Sequence, residues 1–275
     1  MLDVLGVLDT ADVRDIQIQE LDILKRIREI CERHGITYYL IYGTLIGAIR
    51  HQGFIPWDDD VDIMMTRDNY EQFFSHRDEL GEDFIVQDWR TTPDFWSFHA
   101  KVRQLRPKPY IDTMVEDVTD KNGMFVDIFL LDYLPKQSSF RQSVMARVLD
   151  TARLTLSAKQ YGHHDPSPMV RLLSHLARLV PKSLIKAIML WGSTRWNDGP
   201  RNWVVSYGAM MNHRTQVSPI EAYGQPVLRP FEDTEMPCPQ DHDLLLRGIY
   251  GDYMQLPPVS ERTAHGFRRN LQEQP

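Results

Sequence analysis

Apolar positions recur along this chain with two periods, and the switches between them lay out its elements. From Asp12 to His34 hydrophobic residues return every three or four positions, with Leu21, Leu24, Ile27 and Cys31 on one stripe and Gly35 as the stop. That is an amphipathic helix whose work is to cover a sheet. Ile36 to Ile41, rich in β-branched and aromatic residues, predicts a strand. It runs into Gly43-Thr44, read as a tight turn in which Thr44 caps a short helix carrying Arg50 and His51. Asp60-Val61-Asp62-Ile63-Met64-Met65 then alternates, so Asp60 and Asp62 share one strand face while Val61 and Ile63 point into the core.

A second helix is expected from about Arg67 to Leu80, capped by Thr66, with Tyr70, Phe73 and Phe74 inside. Strands follow in series at Phe84 to Gln87, Phe98 to Leu105, Tyr110 to Val115 and Met124 to Leu131. In the second of these, Phe98, Ala100 and Val102 share one face and His99, Lys101 and Arg103 the other. From Arg141 to Arg201 the pattern turns helical, broken at Gly162, Pro166, Pro168 and Pro181. After Phe231 to Pro239 comes a short helix from about Gln240. Gly251 ends it in a left-handed cap that sets Tyr250, Asp252 and Tyr253 on a fixed turn. The expected division is a catalytic core over 1–136, a basic helical subdomain over 137–200, and a C-terminal segment over 201–275 that completes the core.

Composition and charge narrow the class. The 275 residues suffice for a sizeable core, and the net charge of −7 is modest. Cys31 and Cys238 support neither a disulfide framework nor a zinc site, and read as buried thiols. Met1 to Val13 is short of basic residues and interrupted by Asp3, Asp9 and Asp12, so no targeting signal is read and a cytoplasmic location is expected. Met169 to Trp191 is no membrane span, because Arg171, Arg178, Pro181, Lys182 and Lys186 interrupt it.

Residues 141–201 carry ten Lys and Arg against Asp150, Asp165 and Asp198, a local +7 that leaves −14 for the rest. Such a region either contacts anionic lipid or a lipid-linked glycan at the inner membrane face, or turns its basic face to water. His163 and His164 are adjacent, diverge on helix or strand, and fit a loop better than a metal site.

The acidic run carries the chemistry. Asp60 and Asp62 on one face repel unless a cation lies between them, and hard oxygen ligands with room for phosphate oxygens describe Mg²⁺ or Mn²⁺. A calcium loop starting at Asp58 fails, since its sixth position is Ile63 and its twelfth Asn69. The helix start at Gly43-Thr44 suits a phosphate, and Lys101 and Arg103 can hold others. Asp127 inside an apolar run costs several kcal/mol unless paired or metal-bound, so something must balance it. Asp132 is read as a cap for the turn before Pro135. Tyr250, Asp252 and Tyr253 could hold a quaternary ammonium by cation–π attraction or pack in the core, and His265 after Arg262 is a further candidate.

Gly43-Thr44-Leu45-Ile46-Gly47-Ala48-Ile49-Arg50-His51, followed by Gly53-Phe54-Ile55-Pro56-Trp57-Asp58-Asp59-Asp60-Val61-Asp62-Ile63, closely resembles the signature of the LicD family. These are phosphorylcholine transferases related to the fukutin-type transferases. The Lys101 segment resembles the family's lysine-containing strand, Met124 to Asp132 its second acidic element, and Tyr250-Gly251-Asp252-Tyr253 before Pro257-Pro258 a late element. The resemblance covers roughly Ile36 to Asp132 and Phe231 to Pro258, leaving the basic middle unmatched.

It implies an α+β fold, a nucleotidyltransferase-like mixed β-sheet flanked by helices, with an inserted helical subdomain. It also implies transfer of a phospho-alcohol from a CDP-activated donor, CDP-choline first, to a hydroxyl of a cell-surface glycan or its lipid-linked precursor. Mg²⁺ on Asp60, Asp62 and Asp127 would bridge the donor phosphates, Asp127 being third ligand or general base. The helix start at Gly43-Thr44 with Arg50, Lys101 and Arg103 would neutralise the leaving CMP, and His51 and Asp58 would join them in binding substrate. No nucleic acid is among the expected partners. Two other readings stay open: a glycosyltransferase whose Asp-x-Asp clamps a nucleotide-sugar, and a non-catalytic scaffold that binds glycan or lipid.

Overall fold

The computed structural model describes residues 10–95, 97–112, 121–161, 179–209, 213–262, 264 and 267–270. The His163-His164 pair, His265, and the end of the strand expected at Tyr110 to Val115 lie outside the described residues. In chain order the elements are α1 (Thr10–His34), β1 (Tyr39–Leu40), α2 (Tyr42–Arg50), β2 (Asp62–Thr66), α3 (Arg67–Ser75), β3 (Phe84–Gln87), β4 (Ala100–Gln104) and β5 (Tyr110–Asp112). Then come β6 (Phe125–Leu134), α4 (Phe140–Tyr161), α5 (Lys182–Thr194), β7 (Trp203–Val205), β8 (Val217–Pro219), β9 (Val227–Phe231), β10 (Thr234–Cys238), α6 (His242–Tyr250) and β11 (Phe267–Arg269). They fall into two compact units, one formed by 1–87, 100–129 and 222–275, the other by 88–99 and 130–221.

In the first unit the strands run in the order β1-β2-β6-β4-β3. β2 and β6 are parallel, joined where the Asp127 N–H donates to the Val61 carbonyl at 2.8 Å, and the other pairs are antiparallel. This mixed α/β arrangement is of the nucleotidyltransferase-like class that the resemblance implied. α1 buries Ile16, Ile23, Leu24, Ile27 and Cys31, and Gly35 stops it at φ +65°. Thr66 caps α3 by accepting from the Asn69 N–H, as its sequence position predicts. α3 ends sooner than expected, at Ser75, and a separate 3₁₀ turn covers Arg77–Leu80. Phe74 stays half-buried with the Arg77 guanidinium 4.5 Å over its ring. β9 and β10 form a hairpin, and Asp241 caps α6, which ends at Gly251 with φ +70°.

Two local readings are corrected here. β1 spans two residues, and the chain leaves it at Ile41 to enter α2. The turn is made by Tyr42, held at φ +50°, a region that is costly for an aromatic residue. Gly43 and Thr44 therefore lie inside α2, whose N-cap is Ile41 with no side-chain cap. Thr44 does not cap the helix.

In the second unit α4 and α5 pack around Met145, Leu149, Leu156, Ile185 and Met189, with Trp89, Phe98, Trp196 and Tyr207 against them. Gly192 permits the close approach, since a Cβ there would stand 2.8 Å from the Met145 sulfur. The latter part of β6 pairs with β7, and β7 with β8, all antiparallel. β6 thus runs three residues past the expected end. Asp132 lies within it and is buried, accepting from Asn197 Nδ2 at 2.8 Å, and so is no turn cap. Of the basic residues here, Lys182 pairs with Asp94 and Lys186 donates to the Pro93 carbonyl. Among the described residues no helix is long and apolar enough to cross a membrane.

Candidate functional site

Asp62 opens β2, and its backbone is fixed from both sides. Its N–H donates to Thr44 Oγ1 at 2.8 Å, and its carbonyl accepts from the Ile41 N–H at 3.1 Å. Thr44 therefore positions an acidic strand end instead of closing a helix. The adjoining bond from Asp127 N–H to Val61 sets β6 beside β2, so Asp127 and Asp62 arrive on neighbouring strands. Gln17 of α1 holds the preceding loop, its Nε2 donating to the carbonyls of Ile55 at 3.2 Å and Asp58 at 2.8 Å.

The glycines of the motif make room. A Cβ on Gly43 would lie 2.7 Å from Asp58 Oδ2, and one on Gly47 2.4 Å from the Gly53 carbonyl oxygen. Gly43 is needed for the approach of a carboxylate and not for a turn. Asp58 thus stands over the start of α2, where the sequence reading set a phosphate.

Asp58, Asp59, Asp62 and Asp127 are all buried, and Asp60 is half-buried between them. Burial pushes the Asp62 carboxyl well up, and the charges of Asp60, Asp127 and Asp58 push it further, partly offset by Lys101. Lys101 Nζ lies 2.7 Å from Asp127 Oδ1 and 3.2 Å from the centroid of the Phe125 ring. Tyr250 belongs here too. Its hydroxyl is driven up by burial and then by Asp62, Asp58 and Asp60, while its ring is partly exposed.

Two carboxylates escaped the sequence reading. Asp59 is fully enclosed within the motif, and Glu20 comes from α1 at 0% exposure, with neither Oε1 nor Oε2 hydrogen-bonded. Burial and then Asp60, Asp59, Asp58 and Asp127 raise its pKa well above the usual range. A signal was present, because Glu20 sits four residues after Ile16 and four before Leu24, inside the stripe that α1 buries. All these donors are hard oxygens, and an orphaned buried carboxylate marks a cluster short of positive charge. Mg²⁺ or Mn²⁺ fits such a donor set.

A basic and aromatic group gathers at the end of α2. Arg50 Nε donates to His51 Nε2 at 2.9 Å, and Arg50 Nη1 to the Tyr253 carbonyl at 2.7 Å. Burial and then Arg50 depress the His51 pKa, which keeps the ring neutral and able to accept. The Arg262 guanidinium lies 4.7 Å over the Trp57 ring, and its charge, after burial, lowers the pKa of Arg50. Two guanidiniums close enough to repel form a place for an anion.

Three other candidates are placed elsewhere. Arg103 is at 0% exposure, donating to Gln87 Oε1 at 2.9 Å, the Gly123 carbonyl at 2.6 Å and Asp112 Oδ2 at 2.9 Å. It ties β4 to its surroundings and does not reach for phosphates. Tyr253 is buried with its hydroxyl donating to Asp243 Oδ1 at 2.9 Å, so its ring is no wall of an ammonium cage. Asp252 is exposed on the turn, where its charge bears on Arg247.

A separate group, His34, His76 and Glu79, has ligand atoms within 4.8 Å of one another. It lies some fourteen residues along α1 from Glu20, about 21 Å at a helical rise. The two imidazoles stack at 3.5 Å, and Glu79 is shared among His34, His76 and Arg33, which makes it an ion-pair cluster at the helix end.

Residues 35–152 match the family model described as the LicD/FKTN/FKRP nucleotidyltransferase domain. The chain is similar to the lipopolysaccharide cholinephosphotransferase LicD of Haemophilus influenzae, at 29% identity over 92% of this chain and 95% of that protein. It is also similar to an uncharacterized protein of Rickettsia prowazekii, at 37% identity over 42% of this chain and 39% of that one. A protein of Rickettsia typhi matches at 34% identity over 27% of each. With the motif at 43–63, the parallel β2–β6 pair and the carboxylates they assemble, residues 35–152 carry a LicD/FKTN/FKRP nucleotidyltransferase domain.

Proposed function

We propose that this protein is a metal-dependent transferase that moves a phospho-alcohol, phosphocholine first, from a CDP-activated donor to a hydroxyl of a cell-surface glycan or its lipid-linked precursor. The observation that carries this reading is the gathering of Asp58, Asp59, Asp60, Asp62 and Asp127 where β2 and β6 meet, more negative charge than Lys101 balances. The printed name of the Haemophilus relative supports phosphocholine and lipopolysaccharide as the donor group and acceptor class.

Asp60, Asp62 and Asp127 would hold Mg²⁺ or Mn²⁺, which when bound supplies charge neutralisation at the donor phosphates. Thr44 and Gln17 keep the acidic loop in place before substrate arrives. Arg50 and Arg262, whose charges act on each other, would take the donor's phosphates, with His51 orienting Arg50. As the alternative to holding the cation, Asp127 on β6 would take the proton of an acceptor hydroxyl, with Lys101 against its carboxylate. Tyr250 keeps a partly exposed ring near three carboxylates, a setting that attracts a quaternary ammonium. On α4 the exposed Phe140, Val144 and Val148 stand among Arg141 and Arg147, which supports contact with a lipid-linked acceptor at an anionic surface.

The test is a thermal-shift series with CDP-choline, CDP-glycerol, CDP-ribitol, UDP-glucose and GDP-mannose, each with and without Mg²⁺, followed by assay of nucleotide release. At a hundred times its dissociation constant a ligand adds ~2.7 kcal/mol. A Mg²⁺-dependent shift with CDP-choline, lost in Asp62→Asn, is expected. A shift confined to a nucleotide-sugar would replace this reading with a glycosyltransferase, and binding of glycan or lipid indifferent to Mg²⁺ and to Asp62 would replace it with a scaffold.

A further inference from the structure

We infer that Glu20 is a cation-binding carboxylate of the acidic centre, delivered from α1, a helix outside the segment that matches the family model. The inference rests on the metal-dependent reading above and extends it to a residue that reading did not use.

Four observations carry it. Glu20 is fully enclosed, and both its oxygens lack a hydrogen-bond partner, an arrangement that a fold tolerates only where something neutralises the group. The charges that act on it are those of Asp60, Asp59, Asp58 and Asp127, so its neighbours add to its charge and do not balance it. Four basic residues of its own helix are committed to other acids, and the Arg26 guanidinium lies 4.9 Å over the Phe84 ring. Arg14 pairs with Glu232, Lys25 with Asp233, Arg28 with Glu32 and Arg33 with Glu79.

The last observation concerns position. Gln17, one turn earlier on α1, is hydrogen-bonded to the carbonyls of Ile55 and Asp58. α1 is thereby locked in register with the acidic loop, and Glu20 is held against the loop by the same contact. A buried acid among acids, on a helix bonded to the acidic loop, calls for positive charge beyond what Lys101 supplies among the described residues. A divalent cation meets that requirement. Glu20 then acts with Asp60, Asp62 and Asp127 in holding it, and α1 is part of the site as well as a cover for the sheet.

The experiment titrates Mn²⁺ into the full chain and reads free Mn²⁺ by electron paramagnetic resonance, with unfolding temperatures taken in EDTA and in excess Mn²⁺. Glu20→Gln keeps the shape of a side chain that makes no hydrogen bond. It is expected to bind Mn²⁺ at least ~10-fold more weakly than the parent. In EDTA it should melt above the parent, because a repelling charge is gone, and it should gain less from Mn²⁺. Affinity within twofold of the parent, with Asp62→Asn still abolishing binding, would overturn the role of Glu20 and leave the metal-site reading standing. Unchanged affinity in both variants would overturn the two together. Should Glu20→Gln not fold, Glu20→Asp serves: it keeps the charge and draws it back by one methylene, and an unaltered Mn²⁺ affinity in that variant also sinks the inference.

Discussion

Lys101 and Asp127 occupy the same rung of the antiparallel β4–β6 pair, with Nζ 2.7 Å from Oδ1 and the two side chains only 11% and 12% exposed. The pair couples the edge of the acidic centre to a residue whose charge also tempers Asp62. Removing one partner of a buried pair costs on the order of 3–5 kcal/mol. Lys101→Met is therefore expected to lower stability by that order in EDTA and by less in saturating Mg²⁺, since a bound cation takes over part of the charge balance. Urea unfolding under both conditions measures this. An equal loss in both would separate the pair from the cation.

Gly43 and Gly47 should respond to alanine to different degrees. At Gly43 the added methyl meets the end of the Asp58 side chain, which can swing away. The expected result is a stability loss of ~1 kcal/mol with transfer activity reduced at least tenfold. At Gly47 the methyl meets the backbone carbonyl of Gly53, which cannot yield without moving the loop, and the stability loss is the larger, toward ~3 kcal/mol. Thermal unfolding and initial rates on the two variants give the order directly.

Arg103→Met separates structure from substrate binding. Two hydrogen bonds and a buried ion pair with Asp112 are lost, at ~3–5 kcal/mol. The fraction that stays folded is expected to keep the parent KM for the donor. A raised donor KM in that fraction would return Arg103 to the phosphate-binding set.

His51 carries a pH signature. Burial, then Arg50, depress its pKa below the ordinary 6.5. As pH falls below that value the unfolded chain takes up the proton first, so the stability contributed by the neutral ring is complete above about 6.5 and is lost as pH falls toward the folded pKa. Within the same window the ring ceases to accept from Arg50. Nuclear magnetic resonance titration, assigned with His51→Gln, should find His51 titrating below the usual range and moving up in Arg50→Gln. A titration at or above 6.5 in the parent would contradict the arrangement.

The sequence by itself determined the elements whose causes are local. The stripe of α1, the Thr66 cap, the His242–Tyr250 helix with its Gly251 stop, and the strands at 62–66 and 84–87 follow from periodicity and from side chains that bond their own neighbours. The order of the motif at 43–63 and the lone Asp127 also pointed to an acidic centre without help from the fold.

What only the tertiary structure decided depends on residues far apart in the chain. Tyr42 makes the turn because Ile41 stays bonded to Asp62, and Gly43 is a glycine because Asp58, fifteen positions on, lies against it. Arg103 left the site because Asp112 and Gln87 enclose it, and Tyr253 because Asp243 takes its hydroxyl. Glu20 entered the site because Gln17 holds α1 to a loop some forty residues away. A period in one dimension tells which face a side chain is on. Which charge that face meets is set by packing, and for a carboxylate in a buried site that meeting decides its chemistry.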